Sequence, residues 1–474
     1  MSWETMIGLE VHVQLGTRSK MFCGCSTSFG DPPNTNVCPV CLGLPGALPV
    51  PNEQAIRLAA RGALALGCTV HQRSIFARKN YFYPDLPKGY QITQFDRPLS
   101  TGGRFAIESA ERGAIEVTIE RLHVEEDAGK SLHDRIPGKT AVDLNRAGVP
   151  LAEIVGGPDL RSPAEARAYL TTLRRLLVYA GVSECSMEKG SLRVDANISV
   201  RPAGRSALGT KTEIKNLNSF ANVERALEAE RARQQALLEA GGTVEQVSLT
   251  FNAATGQVRP MRSKEASHDY RYFPDPDLPP LVLSREWIED TRAELPELPA
   301  ARRARLASGF GLTAYDAGVL TSERVIADYF EAVAASGADS KSAANWIMGE
   351  AMTGFNETGR FAVTPARLAG LIALVAEGIV SHQAAKKVYV DMAASGGEPR
   401  DVAVRLGLVQ VRDEGALAGW VDEVIAAHPR EVDRYRSGET KLLGFLTGQV
   451  MKRSQGKADP KGALPALQRR LEGQ

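Results

Sequence analysis

The side chains able to do chemistry are concentrated in a few short alternating segments. In Ile7-Gly8-Leu9-Glu10-Val11-His12-Val13-Gln14-Leu15 the odd positions are apolar, leaving Glu10, His12 and Gln14 on the other side, as a strand with one buried face requires. Residues 192–200 repeat the arrangement. Leu192, Val194, Ala196, Ile198 and Val200 point one way, and Arg193, Asp195 and Asn197 the other. A third candidate, Arg121-Leu122-His123-Val124-Glu125-Glu126-Asp127, ends in acids, and Glu153 sits in the apolar run Leu151-Ala152-Glu153-Ile154-Val155, where a buried carboxylate needs compensation. Carboxylates and a histidine on one sheet face repel unless cations lie among them. Hard oxygen ligands favour Mg²⁺, and Mg²⁺ with Lys or Arg nearby is what phosphoryl transfer from ATP requires. The competing reading is an ordinary exposed strand face, and adjacency of the strands decides between the two.

Four cysteines form a second pattern. Cys23-Gly24-Cys25 and Cys38-Pro39-Val40-Cys41 are two close pairs on either side of a short loop, the spacing of a tetrahedral Cys₄ zinc site that pins a knuckle. With every ligand position taken by sulfur such a site is structural; free thiols are the alternative. Cys68 and Cys185 stand alone and are expected in the core.

Gly129-Lys130-Ser131 looks like the end of a phosphate-binding loop, but the position that needs the motif's first glycine is Val124. With no complete Walker motif, dinucleotide fingerprint or kinase signature, any ATP site is expected on the sheet. Aromatic and basic residues interleave over Arg78–Asp85, including Tyr81 and Tyr83, and again over His268–Asp275. Base stacking and core packing both satisfy that pattern. From Lys441 to Gln474, Lys441, Lys452, Arg453, Lys457, Lys461, Arg469 and Arg470 face only Asp459 and Glu472, a local net charge of +5 that suits an RNA backbone.

The elements that position these residues fall into two textures. Up to about Leu283, short alternating segments punctuated by Gly, Pro and Asn predict an α+β domain with a mostly antiparallel sheet. Within it, Ser162, Pro163 and Glu165 open a helix as a capping box. Ala166, Leu170, Leu173, Leu177 and Ala180 mark its face, and Gly181 stops it. After the linker Glu294–Pro299 only helical periodicity remains, over residues 327–335, 365–377, 382–392, 416–428 and 441–452, and glycines near 396–397 and 407 divide it. Of 474 residues, 57 are Lys or Arg and 56 Asp or Glu, so any nucleic-acid surface is a local patch. The hydrophobic share of 43% excludes wholesale disorder, and the length suggests two to four domains. No stretch approaches the ~18 apolar residues of a membrane span, and Met1-Ser2-Trp3-Glu4 leads straight into a strand, unlike a secretory signal. Six cysteines in this length are no disulfide scaffold. A reducing, cytoplasmic setting is expected.

The motifs carry a resemblance. Ile7–Val13, Arg78–Asp85, His123–Lys130, Gly190–Ser199, Lys215-Asn216-Leu217-Asn218-Ser219-Phe220, Asp269–Pro274, Gly448–Lys452 and Gly456–Pro460 resemble the GatB/GatE family, the B-type subunits of tRNA-dependent amidotransferases, over essentially the whole chain. The resemblance implies a catalytic cradle of the glutamine synthetase/guanido kinase type with the Cys₄ knuckle (residues 1–292), a helical domain (293–405) and a YqeY-like tRNA-binding tail (406–474). It maps the catalytic and Mg²⁺ site onto Glu10, His12, Glu125, Glu126, Glu153 and Asp195, and structural Zn²⁺ onto Cys23, Cys25, Cys38 and Cys41. Lys79, Lys130 and Arg193 are expected to meet ATP or its phosphates or to line an ammonia route. Tyr81, Tyr83, Lys452, Arg453 and Lys457 are expected to meet tRNA.

The implied reaction is ATP-dependent phosphorylation of the side-chain carboxylate of Glu-tRNA(Gln), Asp-tRNA(Asn) or both, then amidation with ammonia channelled from a partner. The implied partners are an A-type amidase subunit with a small C-type subunit in a heterotrimer, misacylated tRNA, and the non-discriminating aminoacyl-tRNA synthetase. This chain carries no Gly/Ser-rich amidase signature of its own. The competing readings are a non-catalytic tRNA-binding scaffold and a free-standing ligase or kinase for a small acid, the latter disfavoured by the basic tail.

Overall fold

The alternating segments pair into one sheet in the computed structural model, which describes residues 2–261, 269–410, 414–454, 458 and 460–472. Its strands are β1 (Trp3–Gln14), β2 (Thr69–Val70), β3 (Ser100–Ser109), β4 (Gly113–Glu126), β5 (Pro150–Gly156), β6 (Leu192–Pro202), β7 (Thr212–Leu217), β8 (Ser248–Asn252) and β9 (Gln257–Pro260). Their order in space is β9-β8-β7-β6-β1-β5-β4-β3-β2. All neighbours are antiparallel except β7 and β8. The first strand of the chain thus lies in the middle, between β5 and β6.

One face of the sheet is apolar and covered by helices α1 (Glu53–Ala65), α2 (Pro163–Tyr179) and α3 (Phe220–Glu239). Ile7, Leu9, Val11 and Val13 of β1 are fully buried there with Ile56 and Leu58 of α1, Leu170 and Leu173 of α2, and Val223 of α3. Each such aliphatic side chain contributes about 1.5–3 kcal/mol when removed from water, which fixes the register and leaves the even positions of β1 on the opposite face.

Helix α2 begins as its sequence requires: the Ser162 hydroxyl accepts from the Glu165 amide at 3.3 Å, and Gly181 at φ +67° turns the chain away. The Glu165 carboxylate reaches one residue further back than a simple capping box. It accepts from the Arg161 amide at 2.7 Å and from Ser109 Oγ and Arg112 Nε, each at 2.7 Å, tying the helix start to β3 and its turn.

At the end of β4 lies a three-stranded sheet of Ala77–Asn80, Tyr90–Thr93 and Phe273–Pro274. Gln91 Nε2 donates to the Glu126 carbonyl at 2.8 Å and Thr93 Oγ1 to Glu125 Oε2 at 3.0 Å, so it is anchored to the end of β4.

The chain divides into two compact units, Met1–Pro299 and Ala300–Gln474, with the division at the end of the Pro-rich linker. The second unit is helical. Helices Arg324–Ala335, Pro365–Ala376, His382–Ser395, Glu414–Ala427 and Leu442–Arg453 occupy the periodic segments. Among the described residues its buried apolar side chains form two clusters, one between Leu306 and Ala403 and one between Val421 and Leu471. Among the described residues no helix is long and apolar enough to cross a membrane.

Candidate active site and cysteine knuckle

Strand adjacency brings the acidic segments together. In register, His12 faces Glu153 on β5 and Arg193 on β6, Glu10 faces Asp195 on β6, and Glu153 faces His123 on β4. Glu125 lies two residues beyond His123 and therefore shares its face. His12 Nε2 is 3.4 Å from Glu153 Oε2 and 3.6 Å from Glu125 Oε1. His123 Nε2 is 3.3 Å from Glu153 Oε2 and 3.7 Å from Glu125 Oε2. One ligand atom each from His12, Glu125 and Glu153 lies within 4.8 Å of the others, a separation that fits one divalent cation with positions left for water and phosphate oxygens. Glu10 and Asp195 flank this group: Glu10 Oε1 accepts from Asn197 Nδ2 at 3.1 Å, and Asp195 Oδ2 is 3.3 Å from Lys215 Nζ.

The electrostatics follow from crowding acids and bases away from water. Burial raises the Glu10 carboxyl above its ordinary value, reinforced by Glu153, Glu213 and Asp195. Burial draws His12 down, but the Glu153 and Glu125 carboxylates outweigh it and leave His12 raised. The same contest leaves Glu153 lowered, burial being overcome by His12 and His123. Lys79 comes out raised, because Glu125 and the surrounding tyrosines and Glu153 exceed its burial.

Glu126 does not join the group. Consecutive residues of a strand face opposite ways, and Glu126 turns to the other side of β4. There it pairs with Lys88 and accepts from the Ile92 amide at 3.0 Å. The alternation that selects Glu125 instead places His123 and Asp127 beside it, two residues absent from the sequence-derived site. Asp127 is buried, accepts from Gln14 Nε2 at 2.9 Å and forms an ion pair with Arg193 Nη2 at 2.8 Å; against burial, Arg193 and Arg146 hold its carboxyl low. The buried Arg193 Nε has no hydrogen-bond partner among the described residues.

Lys79 reaches the site from Ala77–Asn80, its Nζ 4.8 Å from the centre of the Tyr270 ring and 5.8 Å from that of Tyr81. Tyr81 meets Tyr83 and Tyr270 edge-on, and Tyr83 is largely exposed. Asn80, likewise absent from the sequence-derived site, secures this wall by donating through Nδ2 to the carbonyls of Tyr270 at 3.1 Å and Arg271 at 2.8 Å. Lys130 is placed apart: it is exposed at the start of the separate hairpin Lys130–Ile136/Lys139–Asp143.

The four knuckle cysteines converge. Their sulfurs all lie within 4.8 Å of one another, close to the ~3.8 Å edge of a tetrahedron with ~2.3 Å Zn–S bonds. Cys41 is the most buried of the four. Its Sγ accepts from the Cys38 amide at 3.2 Å, and Cys23, above all other neighbours, lowers its thiol. Cys68 and Cys185 are buried in the core.

In the tail, Lys452 and Arg453 are exposed at the end of Leu442–Arg453. Part of the basic charge is met internally, Arg453 by Glu423 and Arg470 by Asp422. Lys457 lies outside the described residues.

Comparison with known proteins gives the family. The family model of the GatB/GatE catalytic domain matches residues 5–289, which carry both the acidic cluster and the knuckle, and that of the GatB domain matches residues 328–471. The chain belongs to the GatB family. Among curated members, the B-type subunit of the aspartyl/glutamyl-tRNA(Asn/Gln) amidotransferase of Moorella thermoacetica is 54% identical over 477 residues, 99% of this chain and 100% of its own. That of Chlorobium limicola is 50% identical over 477 residues, 100% of both chains, and that of Geobacter sulfurreducens 50% over 480 residues, 100% of both.

Proposed function

We propose that this chain is the amidotransferase subunit in which the side-chain carboxylate of Glu-tRNA(Gln), Asp-tRNA(Asn) or both is phosphorylated by ATP and then amidated. The observation that carries this reading is the His12–Glu125–Glu153 cluster, flanked by Glu10 and Asp195 and edged by Lys79 and Arg193. A carboxylate is a poor acyl donor because its leaving group would be oxide. Attack of a carboxylate oxygen on the γ-phosphorus releases ADP and gives an acyl phosphate; attack of ammonia on the acyl carbon then expels phosphate and leaves the amide. Mg²⁺ held by His12, Glu125 and Glu153 would neutralise charge on the transferring phosphoryl group. Arg193, fixed by Asp127, and Lys79, framed by Tyr81 and Tyr270, orient the anionic substrates. The tyrosine wall keeps water from the acyl phosphate.

The ammonia is supplied by glutamine hydrolysis in an A-type amidase subunit, held in a heterotrimer by a small C-type subunit, and the misacylated tRNA comes from a non-discriminating synthetase. Residues 1–292 act as a glutamine synthetase/guanido kinase-like cradle with a Zn²⁺-bearing knuckle. Residues 293–405 form the helical domain, and residues 406–474 act as the YqeY-like tail that meets tRNA through Lys452, Arg453 and Lys457. The work is done in the cytoplasm.

The test uses the reconstituted complex and Glu-tRNA(Gln) labelled with ¹⁸O in the side-chain carboxylate. Transfer of one label to the released phosphate per amide formed is the expected result. Unlabelled phosphate would exclude the acyl phosphate route.

A further inference from the structure

Lys20 precedes the first knuckle cysteine by three residues and is completely buried. Its Nζ donates to the Asn36 carbonyl at 2.6 Å, the Leu144 carbonyl at 3.3 Å and Cys41 Sγ at 3.6 Å. Three acceptors match the three N–H donors of an ammonium. Among the described residues Lys20 forms no ion pair with a carboxylate, and a buried cation without an anion is strongly disfavoured. With Zn²⁺ bound, the Cys41 sulfur that Lys20 contacts is a thiolate. Four thiolates around Zn²⁺ leave two units of negative charge to be balanced, so each partner has what the other lacks.

The surroundings are built around this contact. Gly148 adopts φ +87°, a backbone conformation that strains any other L residue, and its Cα side packs against the pair: a Cβ there would be in ordinary contact, 3.4 Å from both Lys20 Cδ and Cys41 Cβ. The same turn is fastened to the catalytic strand: the Gly148 amide donates to the Asp127 carbonyl and the Asp127 amide to the Val149 carbonyl, each at 2.8 Å, while the Met21 amide donates to the Gly148 carbonyl at 2.8 Å.

We propose that Lys20 is the built-in counter-cation of the four-cysteine site, a positioning residue whose ammonium sets how tightly the knuckle holds its metal and links the loaded knuckle to the turn that supports β4. The inference rests on the zinc reading of the knuckle.

The test is competition for Zn²⁺ between the full-length protein and a chromogenic chelator, comparing native protein with Lys20→Met, Lys20→Gln and Lys20→Arg. Affinity is expected to fall about 10–100-fold in the Met and Gln variants, the range for loss of a partner hydrogen-bonded to a metal ligand, and to recover in part in the Arg variant. A Gln variant that binds as tightly as native protein would overturn the counter-cation role, because it keeps a donor and lacks the charge. Native protein that takes up no zinc would instead remove the zinc reading itself. Thermal unfolding supplies a readout that does not depend on metal. Cys41→Ser strands the Lys20 cation, so adding Lys20→Met should raise the midpoint above that of Cys41→Ser alone. A further fall in the midpoint would contradict the proposal.

Discussion

Glu125 and Glu126 are neighbours on β4 that serve opposite sides of the sheet: Glu125 joins His12, while Glu126 closes on Lys88 beside the knuckle. Both side chains are deeply buried, so their substitutions separate chemistry from support. Glu125→Gln should abolish ATP turnover while leaving the unfolding midpoint near native. Glu126→Gln leaves Lys88 without its anion and should destabilise the fold by on the order of 3 kcal/mol, with turnover largely kept at temperatures where the protein stays folded. Steady-state ATPase assays and thermal unfolding of both variants check the contrast.

Glu165 gives a pH dependence with a definite sign. Burial pushes its carboxyl up, but Arg112, the Arg161 amide and Ser109 together hold it down at about 2, from an ordinary 4.5. A carboxyl lowered on folding stabilises the folded state above its unfolded value, and that contribution is lost as pH falls from 4.5 towards 2. Because Arg112 is partly exposed, Glu165→Gln should cost about 2 kcal/mol at neutral pH, below the full linkage value. The difference between native and variant midpoints should shrink to nothing near pH 2 in an unfolding series.

The knuckle should carry about one zinc ion per chain, measured by elemental analysis of the purified protein. Cys38→Ser or Cys41→Ser should remove it, and chelation should open the loop between the two pairs to protease.

In the tail, the Arg453–Glu423 pair is exposed and worth at most ~1 kcal/mol, so it yields readily to phosphate. Lys452→Ala should weaken tRNA binding equally for all tRNA sequences and lower the slope of log K against log salt by about 1. Filter binding over a salt series checks this.

What can be read from the sequence follows from what side-chain alternation encodes. The faces of β1 and β6 are legible because their apolar residues alternate without a break, which puts Glu10, His12 and Asp195 on polar faces. The adjacency of β4, β5, β1 and β6 is not legible, because pairing order depends on contacts far apart in the chain. Reading the acids of Arg121–Asp127 as a cluster groups Glu126 with Glu125; period-two alternation applied to the same residues removes Glu126 and adds His123 and Asp127. Lys79 is marked only by its motif, since Tyr270 reaches it from some 190 residues away. Lys20 gives no signal beyond its place before Cys23, because burial of a lysine is a property of the packed fold. The helix from Ser162 to Gly181 is fully legible, since its caps and apolar face are local.

The central claim is that the polar face of β1, β4, β5 and β6 is the phosphorylation site. It is tested most directly by ATP hydrolysis in the reconstituted complex with and without misacylated tRNA, comparing native chain with Asp195→Asn and Glu125→Gln. The account predicts turnover that depends on the charged tRNA and falls at least about 100-fold, or roughly 2.7 kcal/mol of barrier, in both variants while tRNA affinity is unchanged. Native turnover in both variants would place the chemistry elsewhere and leave this chain as the scaffold that holds the tRNA.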